Sequence, residues 1–331
     1  MIRVSILVFL FYLVFSASAS DVIIIKAVGD TMLGSLTPKT ILPVKRGEEF
    51  YDSIGSYLKN ADIVMCNLEG VFIKEGFKPS KCGGKKGCFE FGMPSYLTNA
   101  LKMLGFNVVS FNNNHVMDYG KVAYDYTVNI LKGMGIKVAH KYEYDIIEVK
   151  GKRVAVVAFG FSDGYSILDI PKAKSIVKDL KSKYDIVIVS FHGGAEGYNA
   201  LNTRDVTEYF LGGNRGNVIR FARGVVDAGA DVVIGHGPHV LRAVEVYKGK
   251  LIAYSLGNFL TYGNFSLVGY SGIAGILEIY LGMDGNLVKA NFIPTFQVPP
   301  GIPFYDPEKR GTKLINRLGK EDFPNSYYYF D

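Results

Sequence analysis

The sequence predicts an α/β fold with buried sheets. Apolar, β-branched runs recur along the chain and alternate with segments that carry helix punctuation, the pattern of strands covered on both faces. These runs also stop abruptly, each at a carboxylate, amide or imidazole side chain. Strands behave this way when their carboxyl ends line a ligand cleft.

In chain order, Val22 to Val28 reads as a strand, Phe50 to Leu58 as a helix and Ile63 to Cys66 as a strand. Pro94 to Leu104 reads as a helix, with proline near its first turn and Gly105 just past its end. Asn107 to Phe111 is a strand and Val122 to Met134 a helix; Pro171 to Lys181 is a helix and Ile186 to Phe191 a strand. Val218 to Ala228 is a helix stopped by Gly229, with a strand from Asp231 to Ile234 after it. Two segments interrupt the alternation. "IIEVKGKRVAVVAFG" (146–160) and "VEVYKGKLIAYSLGN" (244–258) each read as a hairpin turning at Lys-Gly-Lys. Their likeness suggests a pseudo-repeat of two sheet halves. Another strand pair is expected from Ser271 to Pro294, turning at Asp284-Gly285-Asn286. Beyond Thr295 the chain is rich in proline, glycine and tyrosine. Residues 20–294 are therefore expected to form one domain, and 295–331 a surface-wrapping extension packed on it.

The opening "MIRVSILVFLFYLVFSASAS" has one basic residue, an apolar stretch from Val4 to Phe15 and Ala17-Ser18-Ala19. It reads as a secretory signal, residues 1–19, cleaved after Ala19, and places the protein outside the cytoplasm, secreted or in the cell envelope. The stretch is short for a spanning helix, so membrane attachment is expected only if this segment stays uncleaved. Hydrophobic content of 48% is ample for a core, and the net charge of +6 is mild. Such a charge permits anionic partners without pointing to nucleic acid. Cys82 and Cys88 bracket "GGKKG", and in an exported protein a short-loop disulfide is the expected reading. Cys66, in an apolar run, is expected to be a buried packing residue.

The strand ends carry the chemistry. The first strand ends in Gly29-Asp30, the second in Asn67-Leu68-Glu69 and the third in Asn112-Asn113-Asn114-His115. The later ones end in His192 and in Gly235-His236-Gly237-Pro238-His239. Taken singly, Asp30 suits a helix N-cap, the asparagines a turn and His192 a packing histidine. Jointly they put oxygen and imidazole donors, with no thiolate, at the same end of every strand. That set suits a hydrolytic site for one or two divalent cations of the Mn, Fe, Zn or Mg type.

The motifs "AVGDTMLGS" (27–35), "NLEG" (67–70), "NNNHVMDYG" (112–120), "HGGAE" (192–196) and "GHGPHVLRAVEVYKGKLIAYSLGNF" (235–259) resemble the CapA family. These are poly-gamma-glutamate capsule-biosynthesis proteins of the calcineurin-like metallophosphatase superfamily. The resemblance runs from about Ile24 to Leu281. It implies a four-layer α/β/β/α sandwich with a metal site at the sheet edges. It also implies that Asp30 and His239 hold one metal, that Glu69 bridges, and that Asn114, His192 and His236 hold a second. His115 would protonate a leaving group or steady the transition state. Asp118 would cap the next helix or orient His115, and Glu196 would act as acid or base or support a ligand. The chain departs from the pattern at Met32, where the superfamily has histidine, and at Gly237, where CapA proteins often have histidine. A thioether is a poor ligand for a hard cation.

Asn258, at the tip of "SLGNF", either contacts substrate or closes a turn, and the turn is preferred. Lys74, Lys78, Lys81, Lys85 and Lys86 read as a solvated face, with attraction of an anionic polymer as the alternative. Arg204, Arg215 and Arg242 are candidates for binding anionic groups. Two functions follow. One is an exported CapA-like hydrolase acting on a phosphoester or amide in an anionic cell-surface polymer. The other is a non-catalytic accessory subunit of a capsule synthesis or export complex.

Overall fold

The computed structural model describes residues 22–85 and 87–331. The expected signal segment and Lys86 lie outside them. Two sheets face each other. In the first the order is Ile302–Tyr305, Leu287–Val298, Ile273–Gly282, Val22–Met32, Ile63–Leu68, Val108–Phe111, Lys137–His140, and Asn258–Thr261 pairs with the second half of Val22–Met32. In the second it is Val244–Tyr247, Lys250–Ala253, Val232–His236, Ile186–His192, Lys152–Phe159, Asp145–Val149. The central strands run parallel, so their carboxyl ends share one edge.

Period-2 alternation assigns each strand residue to a layer. Ile23, Ile25, Ala27, Ile63, Met65 and Val108 pack inward against the second sheet. Val64, Cys66, Leu68, Val109 and Phe111 pack outward with Phe50, Leu101, Ala123 and Leu131 of the covering helices. In the second sheet Phe159 and Phe191 turn outward onto Phe221 of helix Val218–Asp227. Ser110 and Ser190 meet between the sheets at 2.8 Å. Helices therefore cover the outer faces, which is the expected four-layer order.

Most expected elements are present, several extended by a few residues. The first helix is continuous from Glu48 to Leu58 but contains a π-turn over Tyr51–Gly55. Both Lys-Gly-Lys segments are hairpin turns with positive φ at Lys150, Gly151, Lys248 and Gly249. Rather than marking two sheet halves, they close opposite edges of the same sheet. The region beyond Thr295 is more regular than its composition suggests. It adds the edge strand Ile302–Tyr305 and the helix Arg310–Asp322. Leu314, Ile315 and Leu318 of that helix are buried in the core. Their spacing forms one apolar stripe, which the surrounding proline and glycine obscure. Cys82 and Cys88 are disulfide-bonded, and Cys66 is buried. No helix among the described residues is long and apolar enough to cross a membrane.

Candidate metal centre

The centre sits where the inner faces of the two sheets reach their carboxyl ends. His192 and His236 are register partners at the ends of adjacent strands. They lie on the inward face by alternation from Ser190 and Ile234. Asn67 faces inward by alternation from Met65. Asp30 requires an irregularity. Ala27 pairs with Met65 but Asp30 pairs with Asn67, so the first strand carries one extra residue. This bulge shifts the alternation and turns Asp30 inward. Gly29 permits it, because a Cβ there would lie 1.9 Å from the Gly257 carbonyl oxygen.

One oxygen or nitrogen each from Asp30, Glu69 and His192 lies within 4.8 Å of the others, and all three residues are buried. Asn67 Nδ2 donates to Asp30 Oδ1 at 2.8 Å and lies 3.4 Å from His192 Nδ1. His239 Nδ1 lies 2.9 Å from Asp30 Oδ2, and its Nε2 lies 3.6 Å from Glu69 Oε1. His236 Nδ1 is 3.7 Å from Asp30 Oδ1. Asn113 braces the cluster, donating to Asn67 Oδ1 and to the Leu68 carbonyl. His239 adopts φ 58°, uncommon for a non-glycine residue. Gly237 has φ 112°, and a Cβ there would come within 3.0 Å of the Gly193 backbone. The missing histidine at 237 is thus matched by backbone with little room for a side chain. Met32 is buried in the outer apolar cluster and supplies no ligand.

Burial would raise the Asp30 carboxyl, but the hydrogen bond with His239 and the nearby imidazoles bring it down to about 2. Burial also opposes charge on His239, yet Glu69, Asp30 and Glu196 lift it to about 10. Glu69 is pushed well above the carboxylate range, chiefly by burial. Burial holds His236 down at about 4 and His192 well below the imidazole range, with Asp30 opposing both.

Five buried atoms here have no hydrogen-bond partner among the described residues: Glu69 Oε1, Asn114 Oδ1, His192 Nε2 and both ring nitrogens of His236. Buried polar atoms are almost always partnered, so a cluster of unpartnered donor atoms is unusual. Its oxygen and nitrogen chemistry fits a divalent cation.

A cavity of about 470 Å³ opens over the centre, walled in part by Asn114, His115, Glu196 and His239. His115 Nε2 is 3.9 Å from Glu69 Oε1, while its Nδ1 contacts Asp118 Oδ2 at 2.6 Å. Asp118 therefore orients His115; the following helix has no side-chain cap. Burial lowers the His115 pKa despite Asp118. Glu196 lies 2.9 Å from Arg215 Nη1 and 3.9 Å from His239 Nε2.

Three further residues belong to this neighbourhood. Lys81, expected on a solvated face, reaches Asp118 at 2.9 Å and lines the cavity with the disulfide loop. Arg215 is only 7% exposed, lies over Phe161 at 4.1 Å and also lines the cavity. Asn258 does not close a turn: it starts a strand beside Asp30 and contacts His239 Nδ1 at 3.0 Å. Of the other arginines, Arg242 is fully buried and holds Glu208 with the carbonyls of Ala195 and Ala200. Arg204 is exposed beside Asp322. Asn67 was legible as a strand-end amide. Lys81 and Arg215 were legible as cations that could meet an anionic group, but nothing local placed them at this centre.

The family model described as bacterial capsule synthesis protein PGA_cap matches residues 24–262. The capsule biosynthesis protein CapA of Bacillus anthracis is 30% identical over 259 residues, covering 70% of this chain and 58% of that protein. The PGA biosynthesis protein CapA of Bacillus subtilis (strain 168) is 28% identical over 262 residues, covering 73% and 64%. The match thus spans less than two thirds of either relative's length. Among solved structures, a novel phosphatase from Mycoplasma pneumoniae superposes with a TM-score of 0.53 at 13% identity, covering 89% of this chain and 99% of that one. The likeness is one of fold.

Proposed function

This chain belongs to the bacterial capsule synthesis protein family PGA_cap, and from that premise we propose that it is an exported, metal-dependent hydrolase. It would act in the synthesis, trimming or anchoring of an anionic cell-surface polymer, on a phosphoester or amide bond. The supporting observation is the set of unpartnered buried atoms on Glu69, Asn114, His192 and His236, beside the Asp30–His239 pair. Asp30, Glu69, Asn114, His192, His236 and His239 would hold one or two divalent cations. A bound cation of this kind supplies Lewis acidity and lowers the pKa of water.

The chain's own groups do the rest. Asp118 fixes the His115 ring through Nδ1. That leaves Nε2 facing the centre, where it can pass a proton to a leaving group. Burial disfavours the charged ring, so Nε2 must first take up the proton it later gives, from the attacking water, and Asp118 steadies the imidazolium in between. Glu196 is held by Arg215 beside His239, in reach of a water or substrate hydrogen. Phe91 packs against His115 at 4.3 Å between ring centroids and Phe265 against His239 at 5.3 Å, covering part of each imidazole.

The test is bound metal plus turnover of phosphodiester, phosphomonoester and γ-glutamyl substrates by wild type and His115→Ala. We expect stoichiometric metal in both and a rate loss of about 100-fold or more in the variant. Stoichiometric metal with no turnover of any substrate would instead assign the accessory role.

A further inference from the structure

The Cys82–Cys88 disulfide stands beside His115, and nothing in the proposed chemistry uses it. Cys88 lines the cavity over the centre together with Lys81, Phe91 and His115. The residues on either side of the bridge both hold Asp118, a fully buried carboxylate. Before the bridge, the amides of Ser80 and Lys81 donate to the Asp118 carbonyl at 2.9 and 3.3 Å. The Lys81 ammonium lies 2.9 Å from Asp118 Oδ1 and donates to the Asn114 carbonyl at 3.0 Å. After the bridge, the Phe91 amide donates to Asp118 Oδ2 at 2.7 Å, and the Phe91 ring packs on His115.

These contacts fix a carboxylate that in turn fixes a ring, since Asp118 Oδ2 lies 2.6 Å from His115 Nδ1. A buried carboxylate needs a cation or donors on its oxygens. Lys81 meets one oxygen and the Phe91 amide the other, and both come from one loop whose cysteines are six residues apart. The loop has little else to hold its shape. A Cβ added at Gly83, Gly84 or Gly87 would meet nothing within 4 Å, so these positions are not packed on the body of the protein. The Cys82 amide donates to Glu90 Oε1 at 2.8 Å, a contact between the same two flanks. The covalent tie therefore limits how far the flanks can part. Asp30, His192 and His236, by contrast, stand on strand ends held by sheet register.

We propose that the bridge is a redox control on this centre. Oxidised, it holds Lys81 and Phe91 on Asp118 and so orients His115. Reduced, it frees both flanks, and His115 loses its orientation while the cation pocket stays formed. Lys81 is then a positioning residue, acting through Asp118. The inference rests on the proposed function and adds its regulation. The reductant is a dithiol. Cys82 is only 4% exposed and Cys88 is half-buried on the cavity wall, so a thiolate of the reductant attacks Cys88 Sγ. The Cys82–Cys88 bond breaks and Cys82 leaves as a thiolate. The second thiolate of the reductant then displaces Cys88 and closes the reductant's own disulfide. Two electrons and two protons pass to the protein, which ends with two thiols, and an oxidising disulfide reverses the exchange.

The experiment compares three forms of the Mn²⁺-loaded protein: oxidised, reduced with dithiothreitol and freed of excess reductant without air, and reoxidised with oxidised glutathione. Hydrolysis of bis(p-nitrophenyl) phosphate gives kcat and KM, calorimetry gives Mn²⁺ affinity, and NMR follows exchange of the Ser80 and Phe91 amides. We expect reduction to lower kcat about tenfold, to move KM and Mn²⁺ affinity by less than about twofold, and to speed exchange of both amides about tenfold or more. Reoxidation should restore all of these. The paired substitution Cys82→Ser with Cys88→Ser should match the reduced protein and ignore both reagents. Lys81→Met, with the bridge intact, should lose kcat to a similar extent, and Lys81→Arg should recover part of it. A bridge of structural value alone would lower Tm and leave kcat of the folded protein unchanged, which overturns the inference. It also fails if the two exchange rates ignore reduction, if Mn²⁺ affinity falls with kcat, or if the paired variant responds to dithiothreitol as wild type does. If the oxidised protein turns over no substrate, the hydrolase reading fails and the exchange rates decide the inference alone. Faster exchange with Mn²⁺ affinity kept then supports it, and unchanged exchange overturns it.

Discussion

His239 is the residue on which the charge of the centre turns. In the metal-free protein it is raised to about 10 while Asp30 is lowered to about 2. The raised imidazole stabilises the fold below its unfolded value near 6.5, and that contribution is lost as pH rises toward 10. The lowered carboxyl contributes above its unfolded value of 3.8, and that contribution is lost as pH falls toward 2. To bind a cation, His239 must give up its proton. Affinity for Mn²⁺ should therefore rise with pH, by about tenfold per unit between pH 6 and 9. Calorimetry in buffers of different ionisation enthalpy would detect the released proton. A pH-independent affinity with no proton release would remove His239 from the ligand set. Glu196 and Arg215 show why single residues mislead. The carboxylate was legible as an extra acid, but the cation beside it arrives from the strand Gly213–Gly216, with nothing nearby in the chain to announce it.

Among the elements, the first strand depends most on a local irregularity. Its bulge decides whether Asp30 faces the centre or the helices, and the bulge depends on the close approach of Gly29 to the Gly257 carbonyl. Gly29→Ala should cost about 2–3 kcal/mol in urea unfolding and also weaken metal binding, because relief of the clash re-aims Asp30. A variant with unchanged stability and metal affinity would show that the register does not need that contact. The helix Arg310–Asp322 is a different case. Its apolar stripe Leu314, Ile315, Leu318 is short and flanked by turn residues, so composition hid an element that packs into the core. The disulfide loop is a third: its pairing was legible from spacing and export, its position against His115 was not.

For the whole molecule, the centre is the place where both sheets contribute to one ion pocket. Asp30 and Glu69 come with the first sheet, His192 and His236 with the second. A cation bound there ties the two sheets together, so it should stabilise the entire fold rather than a loop. At 100-fold excess over Kd, linkage gives about 2.7 kcal/mol, or about 5 °C in Tm for a chain of this size. Chelation should lower the melting temperature by that amount in wild type and in His115→Ala, and have no effect in His192→Ala. An unchanged Tm in wild type would mean that the pocket holds no cation.

The sequence alone determined the order of most strands and helices, the polar residues at their ends, the disulfide and the family motifs. These are local properties: periodicity, turn chemistry and spacing are written in consecutive residues. Tertiary structure alone decided that the strand ends converge, and that Asn258, Lys81 and Arg215 join them while Arg242 becomes a core brace. The physical reason is that such contacts depend on sheet order, register and one bulge, which couple residues as far apart in the chain as Asp30 and Asn258.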